Sequence, residues 1–477
     1  MKRSKRIYIL LGVLVVACAV TFGVSRYETH KEQIQNSDEI ILEVASDSVE
    51  SLSWETDSES LAFHKDENWI YDDDENFPVD EEKINELLEP FQEFGVSFVI
   101  EDVDDLAQYG LTNPVCTIQL GTAEQDYTIL VGDYSTMDSE RYVSIGDGNV
   151  YLVPEDPMDE FDAVLSDMID HDEVPSFEQV TQIQFSGDEE YQISYEEDSA
   201  DTYREEDVYF TELDGVKSPL DTSLVDSYLQ NLESMDLTNY VTYNATQEDL
   251  EKYGLDAPEL TISVEYTFEN EDEETTEGTF VLNVSRDPNE QTTEESEVSS
   301  QTTNDESQDA EEETEEITAY ARVGESPIVY QITTEDYNAV MKAAFDDLRH
   351  KEVVPAEFED ISQIDISLDG ESYTITTEGN KDERTYYYGD QELEIEDLQN
   401  AVQGLQADSF TQESPTQKEE ISFTVHLDLE NEPSVEIQLY RYDGSNCLAV
   451  VNGESISLVP RESVVDLIEA VNSIVLN

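Results

Sequence analysis

A ten-residue pattern that occurs twice constrains this chain more than any other feature. It spans Asp105–Pro114 and returns as Asp249–Pro258, each time as Asp-Leu-x-x-Tyr-Gly-Leu-x-x-Pro. Polar and apolar residues alternate directly after each copy, which is the period of a half-buried strand. Two matches in one register predict that the chain is built from repeated units.

The pattern is typical of a structural joint. A glycine just past a helix end can take the left-handed conformation that closes the helix, and a following proline keeps the chain extended into a strand. A shared binding site lined by the two tyrosines is the alternative, but the turn chemistry favours packing. The residues to which we assign this structural role are Asp105, Tyr109, Gly110, Leu111, Pro114, Asp249, Tyr253, Gly254, Leu255 and Pro258.

Strand and helix patterns around the two copies divide the chain into three related units. The first covers residues 47–177, the second 178–358 and the third 359–477. Each is predicted to pack amphipathic helices on antiparallel strands, which makes the fold class α+β. The third unit lacks the Tyr-Gly-Leu pattern, as expected of a divergent unit that caps an array. Residues 285–316 are almost free of apolar side chains and are predicted to form a disordered acidic insertion.

The N-terminus predicts attachment to a membrane. Residues 1–6 carry four basic side chains, and residues 7–24 contain no charge over a length of about 27 Å as a helix. Basic residues on this side keep the N-terminal end cytoplasmic, so we expect a transmembrane signal-anchor at 7–24, a tether at 25–46 and an extracytoplasmic body. Lipidation of Cys18 and simple cleavage of a signal peptide remain open alternatives.

Charge limits the classes of partner. The net charge is -94, from 116 acidic and 22 basic residues. Such a field repels nucleic acid and favours cationic partners, but it does not determine the fold. Three cysteines cannot form a disulfide framework, and we expect Cys116 and Cys447 to be buried free thiols in strands.

No known catalytic motif stands out in the sequence. The five histidines show no metal spacing, and nucleophile-elbow, phosphate-loop and dinucleotide patterns are absent from the sequence. Acidic loops at 72–76 and 138–147 could attract Ca²⁺, although incidental weak association is the simpler interpretation. Trp54 and Trp69 could stack on a sugar, although a place in the core is more usual for aromatic residues on strands. We therefore predict no catalytic residue, no cofactor and no metal site.

Several of these patterns together resemble one family. They are Asp105–Pro114, Tyr127–Asp133 and Val150–Val153 in the first unit, with Asp249–Pro258 and Val329–Ile332 in the second. Their order is similar to that of the bacterial "domain of unknown function 4340". The resemblance implies an exported, envelope-anchored protein without established activity. It also implies a role beside ABC-type export systems, and it supplies no catalytic residues.

The expected function is therefore non-enzymatic. We expect a single-pass membrane protein that serves as an extracytoplasmic scaffold or accessory subunit, with transporter subunits or other envelope proteins as partners. Two alternatives of other classes stay open. One is a cell-envelope hydrolase that uses a carboxylate pair, and the other is a cation-dependent surface adhesin.

Overall fold

The computed structural model describes residues 39–101, 103, 105–213, 215–270, 274–290, 316–429 and 433–476. These residues form an α+β protein with antiparallel sheets, as predicted. The chain divides into two compact units, Met1–Asp172 and Glu173–Asn477. The expected anchor at 7–24, with Cys18, lies outside the described residues. Within the described ranges, no helix has the length and apolar character needed to cross a membrane.

The first compact unit contains an eight-stranded sheet in the order β4-β3-β2-β7-β8-β9-β10-β6, and a ribbon of β1 with β5. Its strands are β1 (Glu39–Leu42), β2 (Val49–Thr56), β3 (Ser60–Lys65), β4 (Trp69–Tyr71), β5 (Phe94–Val96), β6 (Phe98–Ile100), β7 (Cys116–Thr122), β8 (Asp126–Ser135), β9 (Glu140–Ser144) and β10 (Val150–Val153). Its helices are α1 (Glu81–Leu88) and α2 (Met158–Phe161), with 3-10 turns at Ser46–Ser48, Glu89–Phe91, Leu106–Tyr109 and Leu165–Met168.

The second compact unit contains two nine-stranded sheets. The second sheet comprises β11 (Gln179–Gly187), β12 (Tyr191–Tyr195), β13 (Tyr209–Leu213), β14 (Val216–Pro219), β15 (Tyr240–Thr242), β16 (Leu260–Glu269), β17 (Thr275–Arg286), β18 (Ala319–Val323) and β19 (Val329–Ile332). The third comprises β20 (Ile361–Leu368), β21 (Glu371–Glu378), β22 (Thr385–Tyr388), β23 (Gln391–Glu392), β24 (Ser409–Phe410), β25 (Glu419–Leu427), β26 (Ser434–Arg441), β27 (Asn446–Val451) and β28 (Glu454–Pro460). The helices are α3 (Thr222–Glu233), α4 (Gln247–Lys252), α5 (Thr334–Val340), α6 (Phe345–Leu348), α7 (Glu396–Gln403) and α8 (Arg461–Val475), with 3-10 turns at Phe358–Asp360 and Lys381–Glu383.

All three sheets follow one path. The second runs β14-β13-β12-β11-β16-β17-β18-β19-β15 and the third β23-β22-β21-β20-β25-β26-β27-β28-β24, so corresponding strands occupy corresponding places. The first sheet has the same order without the outermost strand. The internal repeats are thus confirmed, and the third sheet shares this strand order although it lacks the Tyr-Gly-Leu pattern.

Alternating side chains place the core on one face of each sheet. In the first sheet Trp54 stacks on Phe63 with ring centroids 5.6 Å apart, and Phe161 meets Trp54 edge-on. Asp80 begins α1 as its N-cap, because its side chain accepts hydrogen bonds from the N–H groups of Glu82 and Lys83. Trp54 and Trp69 are buried, so the core interpretation of these aromatic residues is confirmed and they offer no sugar platform.

Two predicted boundaries were wrong. The tether was expected to reach residue 46, yet Glu39–Leu42 forms β1 because Ile40 pairs with Gly95 of β5 and Leu42 and Val44 are buried. The insertion was expected to begin at residue 285, yet β17 continues to Arg286, which pairs with Ala319.

Ion pairing uses much of the scarce positive charge. The basic residues within 4.0 Å of a carboxylate include Lys83, Arg141, Arg204, Lys217, Arg286, Arg349, Lys381, Arg384, Lys418, Arg441 and Arg461. With 116 acidic residues, most carboxylates must face other carboxylates across water. Self-repulsion therefore opposes the compact state.

We predict that salt stabilises the folded chain. Raising NaCl from about 0.02 M to about 0.5 M shortens the screening length several-fold and weakens repulsion among the carboxylates more than it weakens the few ion pairs. The melting temperature, followed by circular dichroism, should rise over this range. A melting temperature that falls with NaCl would show that the ion pairs outweigh the repulsion.

Candidate functional site

The repeated motif forms the same turn in both copies. Gly110 and Gly254 have φ angles of 71° and 72°, the left-handed conformation that was predicted. In the first copy the Leu111 N–H donates to the carbonyl of Leu106 at 3.1 Å, and in the second the Leu255 N–H donates to Leu250 at 2.8 Å. These bonds close the preceding helical turn and direct the chain into the next strand.

Close backbone contact explains the glycines of the first copy. A Cβ atom at Gly110 would lie 2.8 Å from the backbone nitrogen of Asp133, and one at Gly132 would overlap the Tyr109 carbonyl. The turn and the Gly132-Asp133 step of β8 are therefore packed directly together. In the second copy Ser285 stands at this place, and its hydroxyl accepts the N–H of Glu259 at 3.2 Å.

The motif tyrosines pack against tyrosines of the sheet. Tyr109 lies 5.0 Å from Tyr142, and Tyr253 lies 4.6 Å from Tyr320, measured between ring centroids. Tyr253 and Leu255 belong to a small apolar cluster with Tyr320 and Val329. Tyr253 thus packs within an apolar cluster.

The motif aspartates, in contrast, have different roles. Asp105 accepts the N–H of Ala107 at 3.0 Å and so caps its own turn. Asp249 instead accepts both the N–H and the hydroxyl of Thr246, at 2.9 and 2.6 Å, in a capping box. Both aspartates therefore stabilise the helical turn of the motif, through different donors.

The acidic loops are held by local hydrogen bonds. Asp72 bonds to His64, Asp138 accepts the Ser135 hydroxyl, and Asp147 accepts the Tyr151 hydroxyl. In the part of the chain that is described, no three His, Cys, Asp or Glu side chains are arranged to hold a metal ion.

The predicted thiols are buried in strands. Cys116 and Cys447 are free cysteines, as expected. Burial raises the pKa of the Cys116 thiol to about 12 and that of Cys447 to about 11. Both stay protonated and poorly nucleophilic at neutral pH.

Histidine–aspartate pairs recur along the chain. His64 bonds to Asp72 at 2.6 Å, His350 to Asp207 at 2.9 Å and His426 to Asp365 at 2.9 Å. The first and third pairs are about 40% exposed, whereas the side chains of His350 and Asp207 are only 12% and 3% exposed. The buried pair is therefore the best candidate for a functional site.

This pair lies between the second and third sheets, in a group that we call the junction site: Thr202, Arg204, Asp207, His350 and Glu352. The Thr202 hydroxyl donates to the second carboxylate oxygen of Asp207 at 2.6 Å. Nδ1 of His350 is buried without a hydrogen bond, 3.8 Å from carboxylate oxygens of Asp221 and Glu352. Arg204 reaches Glu357 at 3.2 Å and Glu352 at 3.8 Å.

The order of groups in the junction site differs from that of a catalytic triad. In a triad the imidazole stands between a nucleophile and a carboxylate, whereas here the carboxylate of Asp207 stands between the Thr202 hydroxyl and His350. A cavity of about 670 Å³ lies beside it, lined by Thr202, Arg204, Asp207 and, across it, Leu429. The arrangement is suited to joining two sheets.

Sequence reasoning missed the junction site. Asp207 and His350 are 143 residues apart, so no local pattern connects them. One signal was available: His171-Asp-Glu-Val-Pro175 and His350-Lys-Glu-Val-Val-Pro355 place a histidine at the same position after two units.

The comparison with protein families agrees with this architecture. The model described as "Domain of unknown function (DUF4340)" matches residues 69–258 and 214–424. The chain belongs to this family. The first DUF4340 match runs from β4 to just before β16, and the second runs from just before β14 into β25, so the family model is offset from the structural repeats. Neither the curated proteins nor the solved structures yielded a match.

We predict that Gly110→Ala destabilises the first compact unit by about 1–3 kcal/mol, because it adds left-handed strain to a clash with the backbone of Asp133. Gly148→Ala is the matched control, since Gly148 has φ 97° and a Cβ atom added there would have no atom within 4 Å. Urea unfolding of both variants measures the difference. Equal losses would show that the contact with Asp133 contributes nothing.

Proposed function

We propose that this DUF4340 protein is a non-enzymatic, extracytoplasmic scaffold that serves as an accessory subunit of a membrane complex of the ABC-transport type. The observation that carries the proposal is the junction site. Its buried Asp207 bonds to His350, and its Arg204 pairs with Glu352 and Glu357, which lead into the third sheet. This use of charge to join two sheets favours a body that presents surfaces to partners.

The chemistry of Asp207 supports this assignment. A buried carboxylate is costly unless its oxygens are bonded. Both oxygens of Asp207 accept internal donors, from His350 and Thr202. A carboxylate that exchanges a proton directly with a substrate must instead have an oxygen within reach of that substrate. The junction site therefore favours architecture over turnover.

The start of the fold limits how far the scaffold can stand from a membrane. Strand β1 begins at Glu39, and the expected anchor ends at residue 24. Fourteen residues, 25–38, separate them and span at most about 50 Å when fully extended. As part of the proposal, the first compact unit works within about this distance of the membrane surface.

Affinity capture of the tagged full chain from cross-linked membranes tests the scaffold. The expected result is stoichiometric recovery of integral transporter subunits, identified by mass spectrometry. Membranes handled without cross-linker and an unrelated tagged single-pass protein are the controls. Recovery of no membrane protein above the controls would contradict the accessory role.

One observation favours a hydrolase as the second candidate. Burial raises the pKa of Glu189, and the charges of Asp347, Asp188 and Asp346 raise it further. A general acid in glycan hydrolysis needs a carboxyl with a raised pKa and a second carboxylate nearby. Glu189 meets the first condition.

The variant Glu189→Gln separates the two functions. Because the folded state binds this proton more tightly than the unfolded state, ionised Glu189 lowers stability as pH rises from the ordinary value of 4.5 through the raised pKa. The variant should therefore have a higher melting temperature than the natural chain at about pH 7 and the same melting temperature at about pH 4.

Glu196→Gln is the control of opposite sign. The hydrogen bond with Lys217 lowers the pKa of Glu196, so its loss should lower the melting temperature at neutral pH. Turnover of wall glycan that is abolished by Glu189→Gln would establish the hydrolase and overturn the scaffold proposal.

A further inference from the structure

The connection between the second and third sheets is short. The Asp221 N–H donates to the carbonyl of Leu348 at 2.9 Å, which fixes Leu348 to the second sheet's helix α3. The carbonyl of Lys351 accepts the Ala407 N–H at 2.7 Å, and the Val353 N–H donates to Leu405, which fixes both residues to the third sheet. Only Arg349 and His350 lie between these attachments. The two residues occupy the position of a hinge.

A long loop of the second sheet crosses this connection. Residues 196–208, here called the strap, join β12 to β13. Tyr203 packs against the apolar core of the third sheet. Arg204 forms its ion pairs with Glu357 and Glu352, which both follow the connection.

More charges of the strap face the third sheet. A hydrogen bond with Asp360 is the largest influence that raises the pKa of Lys381, and the charges of Glu205 and Glu206 in the strap raise it further. At the base of the strap, Lys217 of β14 pairs with Glu196 and Asp201. The strap is thus held at its base by the second sheet and at its tip by the third.

The strap also contacts a hinge residue directly. Asp207, at the end of the strap, bonds to Nε2 of His350 at 2.9 Å. Arg349, the other hinge residue, lies 4.7 Å from the ring of Phe345 on α6 and 4.3 Å from that of Phe410 on β24. A cation–π contact tolerates a range of positions over the ring, so Arg349 suits a pivot. The hydrogen bond of His350 instead fixes one geometry.

The first sheet supplies an internal comparison. Its corresponding loop, between β3 and β4, has only the three residues Asp66–Asn68. The sequence that leaves this sheet, His171-Asp-Glu-Val-Pro175, is similar to that around His350, yet the boundary between compact units falls at Asp172. After the second sheet, the similar sequence around His350 leads into the third sheet within the same compact unit. The strap is one feature by which the two cases differ.

We propose that the strap is a detachable latch. Closed, it joins the second and third sheets into one body. Open, it frees them to rotate about Arg349 and His350. Partly buried ion pairs gain little free energy over their solvated forms, so a contact built from them and one tyrosine can exchange between two states. The latch would let a scaffold change the spacing of the surfaces that it presents, but the coupling itself does not depend on the proposed function.

Electron spin distance measurements on the full chain test the latch. Spin labels are attached through Gln192→Cys on the second sheet and Thr376→Cys on the third, both exposed positions. Cys18→Ser removes one native thiol, and the buried Cys116 and Cys447 stay unlabelled. The chain with an intact strap should give one narrow distance distribution. The triple variant Tyr203→Ala, Arg204→Gln, Asp207→Asn should broaden it at least about two-fold, because the hinge is freed.

A control variant distinguishes opening of the strap from a general loss of stability of the fold. Arg384 is 3% exposed and pairs with Asp428 at 2.7 Å within the third sheet. Arg384→Gln should lower the melting temperature and leave the distance distribution narrow. A second release variant, in which residues 197–207 are replaced by Asp-Glu-Asn, removes Asp207 with the strap and guards against misfolding of the triple variant.

Cleavage by trypsin gives an independent measure of strap opening. The Arg204 side chain is 15% exposed, so cleavage after it should require an open strap. The variant Asp207→Asn should accelerate this cleavage about ten-fold or more, whereas cleavage after the exposed Lys418 should not change. A narrow distance distribution in both release variants would overturn the proposal. So would an unchanged rate of cleavage after Arg204.

Discussion

The structure depends on one long-range strand pairing in each sheet: β2 with β7, β11 with β16 and β20 with β25. Leu52 pairs with Leu120, Ile183 with Val264 and Ile364 with Val425. These strands lie far apart in sequence, so the entropic cost of closing the loop between them must be offset by burial of the apolar face that the pair completes. In the first two sheets the turn at Gly110 or Gly254 leads directly into the second strand of the pair.

Charge imposes the second constraint. A chain with 116 acidic residues and 22 basic ones cannot balance its charge internally. Several cations lie where sheets and loops meet, as Arg204 does in the strap and Arg384 does beneath Asp428. The remaining carboxylates face water. Rigidity and solubility therefore come from different residues, which suits a scaffold that must stay dispersed and still hold its shape.

Local chemistry predicted local elements well. The left-handed glycines, the cap at Asp80 and the buried Trp54 all follow from rules that act within a few residues. The same rules failed for β1, whose partner Gly95 lies far along the chain. Local rules also did not predict which segment takes the place of the motif in the third sheet. There the Thr411 N–H donates to Ile456 and the Gln417 side chain to Tyr442, so an extended segment covers the strands.

The sequence by itself determined the repeats, the α+β class, the excess of negative charge and membership of DUF4340, because these are properties of periodicity, composition and short motifs. Only the tertiary structure decided which polar groups share a site. The contact of Asp207 with His350 across 143 residues depends on two sheets and one long loop. A loop of that length has many conformations of similar free energy, and only contact with the third sheet selects one. The physics of that choice is not local, so no stretch of sequence carries it.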